Sequence, residues 1–407
     1  MKCPYAKKCF GCQLQNLSYP EQLSFKQVKL IKLLGRFCHV DEIIGMDEPY
    51  HYRNKVQTAY TMRRGKIIGG VYQSSTGKIT EVDSCMIENE AASRITSIIA
   101  KLLASFKIKP YDPESGAGFF RHVLVRRGFA TGQIMVVLVT RSGEFKSCRS
   151  FVNALLQRHP EITTVVRNIN DGRIRLSLGK RNETLHGEGY IEDRLLGLTF
   201  RISPNAFYQV NPVQTEVLYS KAKEFAGLTG EETVIDAYSG TGTIGMIMAD
   251  RAKKVIAVES NEHAVKDAKA NAKNNGVKNI EFHCADAGEF MVELARQMQK
   301  IDVVITDPPR AGCSRDFLHS VVTLAPKRIV YVSCNPETLA RDLAYLTKNG
   351  YKANAVQGVD MFPFTEHVEC VVLLSREKAD DYVRISVHTK DLKQKEAFCH
   401  EVNDDEK

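Results

Sequence analysis

The sequence predicts an α/β protein whose C-terminal half is a doubly wound, Rossmann-like domain. Between residues 233 and 377, continuous apolar strands such as TVIDA and RIVYVS alternate with helical stretches. This alternation is typical of a parallel sheet covered on both faces. Between residues 46 and 197, strand-like segments joined by glycine turns predict antiparallel hairpins beside two amphipathic helices, an α+β domain.

These patterns divide the 407 residues into four parts. We expect a cysteine loop with a basic helix over 1–45, the α+β domain over 46–197, the α/β domain over 198–377 and a charged tail over 378–407. No apolar run approaches the ~20 residues that span a bilayer, and the N-terminus MKCPYAKKCFGC lacks the apolar core of a signal peptide. The sequence therefore predicts a cytoplasmic protein without membrane contact, and nothing in it indicates a protein partner.

The positive charge is concentrated in the N-terminal half. Residues 1–200 contain 30 Lys and Arg against 18 Asp and Glu, whereas residues 201–407 contain 26 against 30. A basic half indicates contact with a polyanion such as a nucleic acid, although a solubilising lysine-rich surface gives the same balance. Cations and aromatic rings that could bind phosphates and stack on RNA bases are interleaved there: Arg53, Lys55, Arg63, Arg64, Arg121, Arg126 and Arg127 with Tyr52, Tyr60, Phe119 and Phe120.

Cysteines near the N-terminus predict a metal centre. Cys3, Cys9 and Cys12 lie within ten residues, and Cys85 follows at the end of a hairpin in EVDSCMIEN. The chain has 11 cysteines, an odd number, and no export signal, which argues against a disulfide framework. Four thiolates suit either zinc or an iron–sulfur cluster, and the spacing does not choose between them. Cys38 competes with Cys85 for the fourth position.

The first three strands of the α/β half end in residues that suit an adenosine ligand. The first ends in DAYSGTG, which places Tyr238 and Gly240 in a tight turn without the third glycine of the dinucleotide fingerprint. The second ends at Glu259, where a carboxylate can accept from both ribose hydroxyls. The third ends at Asp286, which can accept from an adenine amino group. Because no helix N-terminus is prepared for a pyrophosphate, these strand ends predict S-adenosylmethionine rather than NAD.

The next two strand ends predict chemistry on a pyrimidine. Pro308 and Pro309 cannot continue a central strand and hold Asp307 at the site, free to bond a base edge. Cys334 ends the following strand; a thiolate added to C6 of a pyrimidine makes C5 nucleophilic enough to accept a methyl group. The C5 proton must then leave, and the segment MFPFTEHVEC offers Glu366, His367 and Glu369 as bases. The alternative for Cys334 is a packed core thiol.

Four motifs resemble those of the RNA uracil-5-methyltransferases, which make 5-methyluridine in 23S ribosomal RNA and in tRNA: DAYSGTGTIG, ITDPPRAG, VYVSCNPETLARDL and DMFPFTEHVE. The resemblance runs from about residue 1 to 376. It implies that Cys334 is the nucleophile and that Glu369 removes the C5 proton. It also implies a cofactor site lined by Gln209, Tyr238, Glu259 and Asp307, beside Gly240 and Asp286.

The stretch CPYAKKCFGCQLQ is similar to the cysteine motif with which many members of that family bind a 4Fe-4S cluster, with Phe10 replacing a glycine. The resemblance implies a cluster on Cys3, Cys9, Cys12 and Cys85, since Cys85 lies in the S-C-x-I context of the fourth ligand. This motif favours 23S rRNA over tRNA as the substrate. Some members carry an OB-like RNA-binding module before the cysteines, and we expect this chain to lack it.

Two other functions fit parts of the pattern. An RNA cytosine-5 methylase uses a cysteine after the same strand, but usually carries a second one in a Pro-Cys motif, where this chain has Pro309 and Arg310. A non-catalytic iron–sulfur RNA-binding protein would retain the cluster and the cofactor fold, but it would need neither Cys334 nor Glu369.

Overall fold

The computed structural model describes residues 3–73, 76–172 and 174–377. The predicted charged tail, 378–407, lies outside the described residues. The N-terminal part contains a short helix, a long helix and one strand: α1 (Ala6–Cys9), α2 (Tyr19–Leu34) and β1 (Val40–Ile44). Helix α2 begins with a capping box, in which Glu21 Oε2 accepts from the backbone N–H of Ser18 at 2.7 Å.

The central region forms a seven-stranded sheet of order β4-β3-β2-β5-β6-β7-β8. One face packs against two helices through a buried cluster that includes Ile95, Phe120 and Phe151. The opposite face of β5 and β6 contributes Leu124, Val137 and Val139 to the core of the C-terminal half. The elements are β2 (Lys55–Arg63), β3 (Lys66–Tyr72), β4 (Ile79–Glu81), α3 (Glu90–Ser105), β5 (Phe120–Arg127), β6 (Ile134–Thr140), α4 (Cys148–Arg158), β7 (Ile162–Ile169) and β8 (Arg181–His186).

The C-terminal region begins with a two-stranded hairpin and continues as alternating helices and strands. These elements are β9 (Ile191–Leu195), β10 (Leu198–Ile202), α5 (Pro212–Ala226), β11 (Thr233–Ala237), α6 (Thr243–Ala249), β12 (Lys254–Glu259), α7 (Glu262–Asn274), β13 (Ile280–Cys284), α8 (Ala287–Arg296), β14 (Val303–Thr306), α9 (Arg315–Leu324), β15 (Arg328–Ser333), α10 (Pro336–Lys348), β16 (Tyr351–Val359) and β17 (Glu369–Arg376).

The larger sheet has eight strands in the order β1-β16-β17-β15-β14-β11-β12-β13. Strands β11 to β15 are parallel, and the chain leaves β11 first toward β12 and β13, then returns to β14 and β15 on the other side. The order therefore reverses between β11 and β14, and the carboxyl ends of strands at such a switch point form a ligand crevice. The predicted α/β class with a doubly wound sheet is confirmed.

Two strands of this sheet were not predicted. Strand β16 pairs antiparallel with β17, and β1 adds to its other edge in parallel, with Val40 opposite Val356. Residues 1–45, expected as a cysteine loop and basic helix, thus contribute an edge strand to the C-terminal sheet. Helix α2, which precedes β1 in the chain, also packs against this sheet, because its buried Leu30 and Leu34 lie in the same core. The sequence of β1, VDEII, contains two acidic residues, which are not buried. They interrupt the apolar pattern from which a strand of this sheet would be predicted.

Several aromatic residues expected to stack on RNA bases belong to the core. Tyr52, Tyr60 and Phe120 are 0–1% exposed, so their rings cannot meet a base, and that part of the predicted RNA surface is wrong. Where both faces of a sheet are buried, its strands show no alternation of apolar and polar residues, so the sequence does not indicate which side chains face solvent. Among the described residues, no helix is both long enough and apolar enough to span a membrane.

Candidate active site

A cavity of about 560 Å³ lies at the carboxyl ends of the strands around the switch point. This volume is within the range of small-molecule sites. Eight residues proposed for this site from the sequence line it: Gln209, Tyr238, Gly240, Glu259, Asp307, Cys334, His367 and Glu369. The structure therefore brings together residues that are as far apart as 160 positions in the chain.

The turn after β11 leaves room for a ligand. Gly240 has φ +54°, and a Cβ added there would meet nothing within 4 Å. Its N–H donates to Glu259 Oε2 at 3.0 Å, and the N–H of Asn261 donates to Oε1 at 2.7 Å. These bonds fix the Glu259 carboxylate at the cavity wall, where its remaining lone pairs can accept from a ribose. The arrangement fits S-adenosylmethionine.

Gln209 reaches the cavity from the loop between β10 and α5. Asn54, just before β2, donates its side-chain N–H to the Gln209 carbonyl at 2.9 Å and its backbone N–H to that of Val210 at 2.8 Å. The central sheet thereby holds one wall of the cofactor cavity in place.

Asp286 does not line the cavity. It is exposed, and its Oδ1 accepts from the N–H groups of Gly288 and Glu289 at 2.8 and 3.1 Å, which caps helix α8. An aspartate directly before a helix has this capping role in many proteins, and the sequence pattern alone does not distinguish it from a ligand-binding acid.

Asp307 lies in the floor of the cavity, partly buried, at the end of β14. Burial raises the pKa of its carboxyl to about 7. The Pro-Pro turn that follows is tied to the start of α10, since the Arg310 carbonyl accepts from Asn335 Nδ2 at 3.1 Å and from Thr338 Oγ1 at 3.2 Å.

Cys334 lies half-buried between β15 and α10. Burial, together with the nearby carboxyls of Glu369 and Asp307, raises the pKa of its thiol to about 11, although the Arg310 guanidinium acts in the opposite direction. At neutral pH the sulfur therefore carries a proton. A group that removes this proton must act before the sulfur can attack an electrophile.

Glu369 is the first residue of β17 and is 3% exposed. Burial raises the pKa of its carboxyl well above its usual range, and the nearby Asp307 carboxyl adds to the effect. Strand β17 runs antiparallel to β15 with Ser333 opposite Cys370, so Cys334 and Glu369 face each other one step further along. A thiol and a buried carboxyl thus meet at one point of the cavity, an arrangement suited to nucleophilic attack and proton removal.

Other lining residues were not assigned to this site from the sequence. Phe207 and Tyr208 stand beside Gln209 in SPNAFYQVN, and Arg53 and Arg310 supply cations. Phe207 is 61% exposed, unusual for a phenylalanine. The signal that could have found them is the absence of helical or strand periodicity in that stretch, since functional residues concentrate in such loops.

Three of the four cysteines predicted to bind a cluster lie in one region: Cys12 and Cys85 pack against the same buried group, and Cys3 and Cys85 line one cavity. Burial, with smaller contributions from Cys9 and Cys3, raises the pKa of the Cys12 thiol to about 11. Burial also raises the pKa of the Cys85 thiol. Cys38 lies elsewhere, against the core beneath the larger sheet. Within the described part of the chain, however, no group of three or more His, Cys, Asp or Glu side chains is close enough together to hold a metal ion.

Comparisons with known proteins identify the family of this chain. A family model described as tRNA (uracil-5-)-methyltransferase matches residues 18–377. An uncharacterised RNA methyltransferase of Oceanobacillus iheyensis is 44% identical, over 90% of this chain and 81% of that protein. One from Clostridium acetobutylicum is also 44% identical, over 92% and 83%.

Among solved structures, the chain is similar to the tRNA (uracil-54, C5)-methyltransferase of Pyrococcus abyssi in complex with S-adenosyl-L-homocysteine. The TM-score is 0.75 and the identity 32%, over 90% of this chain and 86% of that one. The protein described here therefore belongs to the tRNA (uracil-5-)-methyltransferase family, and it is an S-adenosylmethionine-dependent RNA methyltransferase.

Proposed function

We propose that the protein methylates C5 of a uridine in 23S ribosomal RNA, with Cys334 as nucleophile, Asp307 holding the uracil edge and Glu369 as the base. The observation that carries the proposal is the register of β15 and β17, which sets Cys334 opposite Glu369 at the rim of the cofactor cavity. A methyl transfer to an amino group or a phosphate would need neither a thiol nor a buried base there.

S-adenosylmethionine, when bound, supplies an electrophilic methyl group on a positively charged sulfur. Gln209, Tyr238, Gly240 and Glu259 would hold it. The Cys334 thiolate forms a bond to C6 of the uracil, and the C5–C6 double-bond electrons move toward C5. C5 then bonds to the methyl carbon as the bond between that carbon and the sulfonium sulfur breaks and its electron pair stays on the sulfur. Asp307, with its pKa near neutrality, can donate to or accept from the uracil edge.

Glu369 completes the reaction. Its carboxylate takes the C5 proton, the electron pair of the C5–H bond restores the double bond, and the bond between C6 and the Cys334 sulfur breaks. Because the base is buried and its pKa is raised, its charged form increases as pH rises. Proton removal should therefore accelerate as pH rises toward the raised pKa of this carboxyl.

The substrate assignment is tested by product analysis. Transcripts of 23S rRNA fragments and of tRNA are incubated with the protein and S-adenosylmethionine, then digested and searched for 5-methyluridine by mass spectrometry. We expect product on an rRNA fragment, and a loss of at least about 1,000-fold in Cys334→Ala. Cys313→Ala, at a buried cysteine outside this register, should retain activity.

Methylation of tRNA instead would favour the second candidate, which the Pyrococcus abyssi tRNA enzyme supports. The product 5-methylcytidine would contradict the uridine assignment. A protein that binds RNA and cofactor but methylates neither RNA would support the non-catalytic alternative.

Glu369→Gln should trap the reaction after methyl transfer. The amide cannot take the C5 proton, so a covalent protein–RNA complex should accumulate on ordinary uridine RNA and survive a denaturing gel. In the wild-type protein the rate of product release should rise about tenfold per pH unit below the pKa of the base, and this slope should vanish in the variant. Normal release by Glu369→Gln would rule out this residue as the base.

We also propose that Cys3, Cys9, Cys12 and Cys85 bind a 4Fe-4S cluster. The packing of Cys12 and Cys85 against one buried group, the shared cavity of Cys3 and Cys85 and the remoteness of Cys38 support this set; the side chains are not at ligand spacing. The methylation steps above require no electron, so we assign the cluster no step in them.

Iron analysis tests the cluster. Protein purified without oxygen should contain about four iron and four sulfide per chain. Cys85→Ser should lower this content at least twofold, whereas Cys38→Ser should leave it unchanged. Stoichiometric zinc, or loss of iron only in Cys38→Ser, would contradict the assignment.

A further inference from the structure

The loop from Asp360 to Val368 joins β16 to β17 and immediately precedes Glu369, the proposed base. Phe362 and His367 of this loop line the cavity, and Glu369 follows directly. Any movement of the loop would therefore displace three cavity residues together. The loop is 9 residues long and contains no helix or strand, so its position depends on hydrogen bonds within the loop, such as that from Thr365 to the Phe362 carbonyl, and on contacts with other segments.

A buried ion pair anchors the beginning of this loop. Lys26 Nζ of helix α2 lies 2.5 Å from Asp360 Oδ1, and both side chains are 0% exposed. The same ammonium donates to the Phe362 carbonyl at 3.0 Å, and the Tyr19 hydroxyl donates to Asp360 Oδ2 at 3.0 Å. A buried pair contributes little net stability compared with apolar packing, but it specifies one arrangement of the groups that it joins.

The backbone at the centre of the loop is held by the same N-terminal segment. Gln22 Oε1 accepts from the N–H of Phe364 at 2.8 Å, and the N–H of Leu14 donates to the Phe364 carbonyl at 2.9 Å. The Tyr52 hydroxyl donates to the Pro363 carbonyl at 3.1 Å. Phe364 has φ +70°, a strained conformation for a bulky residue, which persists only where surrounding contacts determine it.

The Phe364 ring lies against the predicted cluster cysteines. It is 5% exposed and packs with Met46, Tyr52 and Ile87, and Cys12 and Cys85 are half-buried against this group. One side of the loop thus faces the catalytic cavity, and the other side faces the cysteine loop.

We propose that residues 14–26 act as a clamp on the loop 360–368, with Lys26 and Asp360 as positioning residues for Phe362, His367 and Glu369. The inference rests on the proposed function for the role of Glu369. Since the Lys26–Asp360 pair is shielded from solvent, it cannot contact RNA. The clamp therefore governs the rate of the reaction and leaves RNA affinity unchanged.

The full-length Lys26→Met protein tests the clamp, with Lys32→Met, on the exposed side of the same helix, as the matched control. Three quantities are compared: the Kd for RNA, the rate of product release in a single turnover, and amide hydrogen exchange in residues 361–368. We expect Lys26→Met to slow release about 10- to 100-fold, to accumulate the covalent complex and to accelerate exchange in this segment, with Kd within twofold of wild type. Lys32→Met should match wild type in all three.

If Lys26→Met does not fold, Lys26→Met/Asp360→Asn replaces it, because this double variant leaves no unpaired buried carboxylate. A folded variant with normal release and normal exchange would overturn the proposal, as would a weaker Kd with normal release at saturating RNA. If Glu369→Gln behaves like wild type, the proposed base has failed, and hydrogen exchange alone decides on the clamp: faster exchange in 361–368 supports it, and unchanged exchange overturns it.

Discussion

The site depends on the antiparallel register between β15 and β17. Parallel strands bring their carboxyl ends to one edge of a sheet, and in this way Tyr238, Glu259, Asp307 and Cys334 reach the same cavity. A further parallel strand in the place of β17 would bring only its last residue there. Because β17 runs the other way, its first residue lies at that edge, and the pairing of Ser333 with Cys370 fixes Glu369 beside Cys334. A slip of one residue would turn the carboxyl to the opposite face of the sheet.

The same arrangement sets the electrostatics. Two carboxyls and a thiol share a poorly hydrated site, so burial raises all three pKa values. The Asp307 carboxyl adds to the effect for Cys334 and Glu369, and Arg310 partly offsets it for both. With a pKa of about 11, the Cys334 thiol is protonated at neutral pH. Binding of a positively charged sulfonium would favour ionisation, which ties the reactive state of the site to the presence of the methyl donor.

Much of this could be predicted from the sequence, and the failures have physical reasons. The strand ends after β11, β12, β14 and β15 were predicted because buried parallel strands are continuous apolar runs followed by turn residues. The role of Asp286 in the cofactor site stays a prediction: its Oδ1 caps helix α8, and both roles require an acid at a strand end. Strand β1 and the Lys26–Asp360 pair could not be predicted, because they depend on contacts between residues more than 300 positions apart. The burial of Tyr60 and Phe120 could not be predicted, because a sheet buried on both faces shows no polar alternation.

The central claim is that Cys334 attacks C6 of a uracil, and trapping with 5-fluorouridine tests it most directly. Fluorine at C5 cannot leave as a proton, so the covalent complex should persist after methyl transfer. RNA containing 5-fluorouridine is incubated with the protein and S-adenosylmethionine, and the complex is digested and analysed by mass spectrometry. The account predicts a methylated nucleotide attached to the peptide that contains Cys334, and no complex with Cys334→Ala. Attachment to another residue, or an undiminished complex in that variant, would contradict it.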